Sequence, residues 1–276
     1  MVGPGAGCAT AALENGDVVL LQKRSFAVHA DETAFFTPAI LGSGKNVSFD
    51  PMDGRVSGTS LVGDAAAKLG RMLARFSEEA ANLIAELCPE YREKLQRART
   101  SFRPAEIAGR ASSWRQDDTR LHVDSFPATP VQGRRILRVF SNVNPDGRPR
   151  SWRIGDDFES VARRFGAGLR LPLPGSAILL RLLRVTKTHR SPYDALMLQL
   201  HDRMKADTDY QAGAPQTSFA FPAGTTWVAF TDQVSHAAMA GQYQLEQTFL
   251  LPVDAMLDGE RSPLRVLERL KERALV

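Results

Sequence analysis

The chain has 276 residues, of which 43% are hydrophobic and 24% charged, an ordinary composition for a globular protein. Its formal charge of +4 mildly favours anionic partners and is too small to indicate nucleic-acid binding on its own. The two cysteines, Cys8 and Cys88, have no metal-binding spacing and do not suggest a disulfide framework. This cysteine usage fits a reducing cytosol, and because no apolar run is long enough to span a bilayer, we expect a soluble, cytoplasmic protein.

The first part of the chain is predicted to be mainly helical. Residues 18–21 have the composition of a short strand, and residues 42–58 are rich in Gly, Asn, Asp and Pro, which is typical of a loop. Residues 61–87 repeat apolar side chains at helical spacing, and Pro89 ends the pattern. We expect a further short helix to about Arg99, which gives a helical N-terminal part at about 60–100.

From about residue 115 the pattern favours strands. Strands are predicted at 121–126, 134–143, 217–221, 225–230 and 243–251. Helices are predicted at 156–164 and from the N-cap Ser191, with Pro192 in its first turn, to about Lys205. Strand groups with long inserts suit a barrel or jelly roll. We therefore predict one α+β domain over residues 1–276, with a double-stranded β-helix (jelly-roll, cupin-like) core at about 115–255 and N-terminal and inserted helices.

A metal centre is predicted from two histidines and one aspartate. His122 and Asp124 lie two apart in a strand-like run, so their side chains share one face. His236, after a downstream strand and a turn-rich stretch, offers a third ligand. Two imidazoles and one carboxylate leave positions open on Fe(II) for a 2-oxo acid and then dioxygen. We therefore predict His122, Asp124 and His236 as metal ligands and as the catalytic centre.

The other histidines are given structural interpretations. His29 begins a second His-x-Asp tripeptide, but no barrel strand clearly precedes it, so we expect a surface or supporting role. His189 precedes a helix N-cap and is expected to be exposed. His201 falls in a predicted helix, and we place it on the solvated face.

A 2-oxoglutarate-dependent enzyme needs a cation for the distal carboxylate of that acid. The commonest position, about ten residues after the second histidine, holds Glu246 and Gln247, which departs from that pattern. A second arrangement places the cation on the strand after His-x-Asp. Strand periodicity puts Arg138 and Asn142 on the inward face there, and we predict both to bind the co-substrate. The alternative is that Arg138 is a structural ion-pair partner.

Between residues 97 and 153 the chain has twelve arginines and no lysine. Arginine rather than lysine suits bidentate recognition of carboxylate or phosphate. Arg103, Arg150 and Arg153, in loop-like segments, and Trp152, which could stack on a sugar, are predicted to bind substrate at the mouth of the barrel. The alternative is a solvated basic surface.

Several segments together resemble the Kdo 3-hydroxylases, which act on 3-deoxy-D-manno-oct-2-ulosonic acid (Kdo) in the inner core of lipopolysaccharide. The matching segments are 36–41, 121–127, 138–145, 152–153, 191–194 and 221–249. The resemblance implies Fe(II)-, 2-oxoglutarate- and O2-dependent hydroxylation at C3 of Kdo, which gives the sugar acid Ko, with ascorbate as a helpful additive. The substrate would be a Kdo-bearing lipid A precursor at the cytoplasmic face of the inner membrane.

The resemblance also bears on individual residues. His122, Asp124 and His236 match the family's iron ligands, and Arg103, Arg138, Arg150 and Trp152 fall in segments around its active site. No nucleic-acid partner is expected. Peripheral contact with the inner membrane stays open, although no clear amphipathic anchor is visible in the sequence. The sequence does not decide whether the chain forms homo-oligomers.

Three alternatives follow from the same residues. The first is a 2-oxoglutarate-dependent oxygenase that acts on another substrate, such as a protein. The second is a cupin-like metal enzyme without 2-oxoglutarate, which the departure at Glu246 and Gln247 favours. The third is a non-catalytic, arginine-rich module that binds phosphates or RNA.

Overall fold

The computed structural model describes the backbone of residues 6–276 and side chains from residue 9 onward. Its helices are α1 (Ala6–Glu14), α2 (Gly63–Leu87), α3 (Phe158–Gly166), α4 (Ser176–Leu182), α5 (Pro192–Ala206), α6 (Thr208–Gly213) and α7 (Pro263–Lys271). Its strands are β1 (Val19–Leu21), β2 (Val47–Phe49), β3 (Val56–Ser57), β4 (Gln96–Arg103), β5 (Arg135–Asn142), β6 (Arg150–Ile154), β7 (Thr217–Phe221), β8 (Thr226–Phe230), β9 (His236–Ala240) and β10 (Gln244–Leu251).

The strands form two antiparallel sheets. The larger has the order β1-β8-β5-β10-β4-β2-β3, and the smaller has the order β7-β6-β9. Aromatic side chains join them, because Phe140 and Trp227 of the larger sheet pack on Trp152 and Phe221 of the smaller one. The Phe221 and Trp227 rings stack with centroids 4.0 Å apart, and those of Phe140 and Trp152 meet edge to face at 5.0 Å. This cluster fixes the distance between the sheets close to the candidate site.

Strand β5 separates the helical layer from the interior. Leu137 and Val139 point outward into a core shared with Leu73 and Phe76 of α2. Arg138 lies on the opposite face and lines an interior cavity, as strand periodicity predicts. None of the described helices, α2 included, is both long enough and apolar enough to cross a bilayer.

Several predicted elements are confirmed. The strand β1, helices α2 and α3, and strands β5, β7, β8 and β10 lie within one or two residues of their predicted bounds. Helix α5 begins after Ser191, whose hydroxyl and the Asp194 carboxylate form a reciprocal capping box. Asp194 Oδ1 also accepts hydrogen bonds from the Val131 and Gln132 amides at 2.8 and 3.0 Å, so this cap holds the loop that follows the His-x-Asp segment.

Other predicted elements are wrong. Residues 42–58 contain the short hairpin β2–β3 rather than loop alone, and the helix expected to Arg99 is instead strand β4. In β4 the buried Thr100 and Phe102 alternate with arginines, and the preceding helical pattern conceals this period of two. The predicted strand 121–126 makes only one isolated bridge, at His122.

A buried ion pair holds the turn that precedes His236. Arg135 Nε lies 2.8 Å from Asp232 Oδ2, and both side chains are almost completely buried. The same guanidinium donates to Gln233 Oε1 at 2.6 Å and lies 4.0 Å from the centre of the Phe230 ring. The end of β8 and the turn that follows it are therefore tied to the start of β5.

We expect Arg135→Met to destabilise the fold by about 3–5 kcal/mol, because it leaves the Asp232 carboxylate buried without its partner. Urea unfolding would measure the loss. The matched control is Arg24→Met, which removes an ion pair with Glu86 whose side chains are 57% and 59% exposed and which should cost under about 1 kcal/mol. Equal losses for the two variants would contradict this role of Arg135.

Candidate metal centre and surrounding pocket

Backbone pairing places the three predicted metal ligands together. His122 N donates to His236 O at 3.0 Å and His236 N donates to His122 O at 2.9 Å, which forms an isolated antiparallel bridge. Asp124 N donates to Thr231 O at 2.8 Å, which ties Asp124 to the turn after β8. Directly opposed residues of an antiparallel pair project their side chains to the same side. The two segments therefore present both imidazoles and the carboxylate to one point.

The three side chains form a compact donor set. One ligand atom from each of His122, Asp124 and His236 lies within 4.8 Å of the other two. The Nδ1 atoms of the two histidines lie 2.7 and 2.8 Å from the backbone carbonyls of Arg120 and Val234. Since a carbonyl oxygen only accepts, each Nδ1 carries the proton and each Nε2 keeps its lone pair. This is the tautomer that binds metal ions, held by a backbone partner.

The electrostatics of the site also suit a cation. Burial, followed by the nearby His236, lowers the pKa of His122 well below its ordinary value, and burial lowers that of His236 too, so both stay neutral. Burial alone would raise the pKa of Asp124, but the adjacent Arg138 charge holds it well below its usual range. Asp124 Oδ2 is buried without a hydrogen-bond partner among the described residues. Neutral imidazoles and an ionised, under-coordinated carboxylate fit a divalent metal of the two-histidine, one-carboxylate type.

The donor set lies in a cavity of about 630 Å³ that is rich in charge. Six basic and four acidic side chains line it: Lys45, Arg103, Arg115, Arg138, Arg150 and Lys205 against Asp118, Asp124, Asp202 and Glu246. A bound divalent metal would add to this positive excess. The cavity therefore favours anionic ligands.

Glu246 lies between two of these arginines. Its carboxylate is 3.0 Å from Arg103 Nε and 2.9 Å from Arg138 Nη1. Arg138 Nη1 is also 3.3 Å from Asp124 Oδ2, so Arg138 links Glu246 to the candidate metal ligand. Burial opposes ionisation of Glu246, but Arg103 and then Arg138 lower its pKa. The departure from the commonest cation position thus has a structural role, since Glu246 orients the arginines that line the cavity.

Strand β6 contributes Arg150 and Trp152. The Trp152 ring stacks on His236 with centroids 5.0 Å apart, and Arg150 donates to the Gly241 carbonyl at 2.6 Å. Burial and then the charge of Arg103 lower the pKa of Arg150 to about 9. Three buried donors that belong to cavity-lining residues, Nε of Arg138, Nε of Arg150 and Nε1 of Trp152, have no acceptor among the described residues. Such donors fit an anionic ligand beside the metal centre.

Two predicted residues are not brought to the cavity. The Asn142 amide donates to the carbonyls of Arg148 and Phe221 at 3.0 and 3.1 Å and so holds the β5–β6 turn. Arg153 alternates with Trp152 along β6 and therefore points to the other face of the sheet, where it donates to the Thr119 carbonyl at 2.6 Å. Three predicted residues lie on strands rather than on the predicted loops. Arg103 lies on β4, which pairs with β10, and Arg150 and Arg153 lie on β6, which pairs with β7 and β9.

Helix α5 supplies cavity residues that the sequence analysis missed. His201, predicted on the solvated face, is largely buried and meets the His122 ring edge to face at 5.3 Å. Leu198, His201 and Lys205 all line the cavity, and their spacing of three and four residues puts them on one side of the helix. That spacing was a usable signal. His29 and His189 are exposed, as predicted.

Comparisons with known proteins agree with this site. A profile of the 3-deoxy-D-manno-oct-2-ulosonic acid (Kdo) hydroxylase family matches residues 6–274. The chain is similar to the crystal structure of the Kdo hydroxylase KdoO, a non-haem Fe(II) α-ketoglutarate-dependent dioxygenase, in complex with α-ketoglutarate and Fe(III). That match has 46% identity and a TM-score of 0.95, and it covers 98% of this chain and 91% of that one.

The cobalt(II) complex of KdoO matches with 46% identity and a TM-score of 0.96, over 98% of this chain and 91% of that one. Its apo structure matches with 47% identity, a TM-score of 0.95 and the same coverage. No curated protein matched the sequence in a separate search. The profile match over nearly the whole chain, together with the likeness to KdoO, shows that this chain belongs to the Kdo hydroxylase family of non-haem Fe(II)/2-oxoglutarate-dependent dioxygenases.

Proposed function

We propose that this chain hydroxylates C3 of Kdo in Kdo-bearing lipid A precursors, giving Ko, and that it does so at the cytoplasmic face of the inner membrane. The observation that carries the proposal is the donor set of His122, Asp124 and His236, with both Nε2 atoms available, inside a cavity with an excess of cations.

We further propose that residues 1–276 form one domain with a double-stranded β-helix core at about 115–255. The two antiparallel sheets joined by aromatic packing support that core.

His122, Asp124 and His236 would hold Fe(II) and leave three positions for the co-substrate and dioxygen. Iron with 2-oxoglutarate and O2 supplies the oxidation, in which one oxygen atom enters the sugar C–H bond and the other enters succinate as CO2 is released. The chain supplies orientation, because the two Nδ1–carbonyl hydrogen bonds fix the imidazoles. Trp152, stacked on His236, shields that side of the centre from water.

The co-substrate is a dianion and would take the deep cations. Arg138 remains our candidate for its distal carboxylate, and Arg150 and Trp152 fit the same anion because their side-chain donors have no acceptor. Arg103, held by Glu246 at 3.0 Å, stays in the substrate-binding role. Asn142 and Arg153, which do not line the cavity, would instead hold the β5–β6 turn and the segment before His122.

The substrate is also anionic, since Kdo has a carboxylate and lipid A has phosphates. Lys45, Arg115 and Lys205 line the same cavity and would meet these groups. A phosphate- or RNA-binding module would expose its arginines, whereas Arg103, Arg138 and Arg150 are largely buried around the metal centre. The position of Glu246 between two arginines also removes the argument for a cupin-like enzyme without 2-oxoglutarate.

We expect purified protein with Fe(II) to release succinate from 2-oxoglutarate strongly only when a Kdo-terminated lipid A precursor is present. His122→Ala should abolish the release, because it removes a metal ligand. Succinate is measured alongside the mass of the glycolipid, which should gain one oxygen atom. Release without oxygen gain in the glycolipid would point to another substrate, and no release under any condition would refute the oxygenase assignment.

We expect Co(II) to raise the melting temperature of the protein, because a ligand that binds only the folded state stabilises it, by about 2.7 kcal/mol at one hundred times its Kd. His236→Ala should lose this stabilisation. The matched control is His189→Ala, which changes an exposed histidine and should keep it. An equal metal-induced shift in both variants would place the metal elsewhere.

We expect Arg150→Lys to raise the KM for 2-oxoglutarate by about tenfold or more, because a buried charge-assisted hydrogen bond contributes about 1.5–3 kcal/mol. Co-substrate saturation curves for succinate release measure it. Arg148→Lys, at an exposed arginine two residues away, is the control and should leave this KM unchanged. If Arg150→Lys alters only the KM for the glycolipid, Arg150 belongs to the substrate site.

A further inference from the structure

An apolar surface lies around α4, on residues 171–185, and we call it the α4 patch. Of the twelve large apolar residues that are exposed in the described part of the chain, seven belong to this short stretch: Leu171, Leu173, Ile178, Leu179, Leu182, Leu183 and Val185. Soluble proteins rarely leave so many large apolar side chains exposed together, and such clusters mark interaction surfaces.

The geometry of α4 gathers these side chains on one face. Ile178, Leu179 and Leu182 follow the spacing of a helix surface and are 63%, 57% and 74% exposed. The helix has no buried residue and therefore contributes little to the core. Leu173 before it and Leu183 after it extend the patch at both ends. The face is built to pack against something other than its own domain.

The charge around the patch indicates what that partner is. Residues 165–190 include no aspartate or glutamate and five basic residues: Arg170, Arg181, Arg184, Lys187 and Arg190. Arg181, Arg184 and Lys187 are exposed among the leucines. An apolar face mixed with cations and free of carboxylates is typical of elements that lie in the headgroup region of anionic membranes.

The segment that follows the patch is bonded to a loop that lines the candidate site. Lys187 N donates to the Ala128 carbonyl at 2.9 Å, and the Arg190 guanidinium donates to the Pro127 carbonyl. Pro127 lines the cavity of the metal centre. Thr188 lines an adjoining cavity of about 460 Å³, which shares Arg103, Phe126, Arg138 and Glu246 with the first.

We propose that the α4 patch is a membrane-docking surface that inserts its leucines into an anionic phospholipid bilayer, with the surrounding arginines and lysine on the lipid headgroups. Docking there would bring the bilayer to the mouth of the two adjoining cavities, where a lipid-borne sugar could enter without leaving the membrane. The surface itself follows from exposure and charge, whereas its use in catalysis rests on the proposed function.

The test is sedimentation of the full chain with vesicles of phosphatidylcholine alone or mixed with phosphatidylglycerol. We expect binding to the anionic vesicles that weakens with salt, and little binding to the neutral ones. Arg181→Glu/Arg184→Glu should weaken it about thirtyfold or more, because each basic residue near an anionic surface contributes about a factor of five. Leu182→Asp/Leu183→Asp should weaken it at least tenfold, since both side chains are exposed and the fold should be unaffected.

Matched controls lie elsewhere on the surface. Val62→Asp changes an apolar residue that is 81% exposed, and Lys68→Glu/Arg71→Glu reverses two exposed charges on α2. Both should bind vesicles like the unchanged protein. The proposal is overturned if the unchanged protein ignores anionic vesicles, or if patch and control variants bind equally.

Light scattering without lipid tests a competing occupant of the patch. A dimer that Leu182→Asp/Leu183→Asp converts to monomer, with no vesicle binding by either, would make the patch a self-association surface and also overturn the proposal. Because the vesicles contain no Kdo, and succinate release can be followed on a detergent-dispersed acceptor, this proposal and the proposed function can fail separately.

Discussion

Two backbone hydrogen bonds between His122 and His236 hold the centre of this molecule together. They form an isolated bridge between a segment that is otherwise not a strand and the first residue of β9. That bridge places both imidazoles on the same side of the paired backbone. The surrounding structure then has only to hold the segment around His122 and the start of β9 in position. The Arg135–Asp232 ion pair fixes the turn before His236, and the bond from Arg153 to the Thr119 carbonyl fixes the approach to His122. Both contacts thus help to position the histidine side chains of the candidate site.

The second constraint is the cost of burying arginine. Guanidinium groups are costly to remove from water unless they are paired, and the cavity pairs them incompletely. Glu246 compensates Arg103 and Arg138, whereas Arg150 has only a backbone carbonyl and a lowered pKa. The uncompensated positive charge favours the binding of anions, and both a dicarboxylate co-substrate and a sugar acid would neutralise it. Specificity for charge is therefore built into the protein before any ligand arrives.

The parts of this arrangement that follow local periodicity could be predicted from the sequence. The inward direction of Arg138 and the N-cap at Ser191 depend on residues near in sequence, and both are confirmed. The same period of two is concealed in β4 by the preceding helical pattern, and Arg153 points away from the cavity because its segment is strand β6 rather than a loop. The spacing of Leu198, His201 and Lys205 indicates a shared helix face, but only the packing of α5 shows that this face lines the cavity. Long-range pairing and packing, rather than composition, decide the positions of Arg153 and His201.

The turn before His236 is also connected to the first described helix. Gln233, which accepts from Arg135, donates through its own amide to the Glu14 carbonyl at 3.1 Å. The Glu14 carboxylate in turn accepts from the Tyr91 hydroxyl and from the amides of residues 257 and 258. Helix α1 and the segment after β10 are thus connected by hydrogen bonds, through Glu14 and Gln233, to the turn that precedes His236. A substitution that loosens α1 or the segment after β10 would therefore act from a distance on the position of His236.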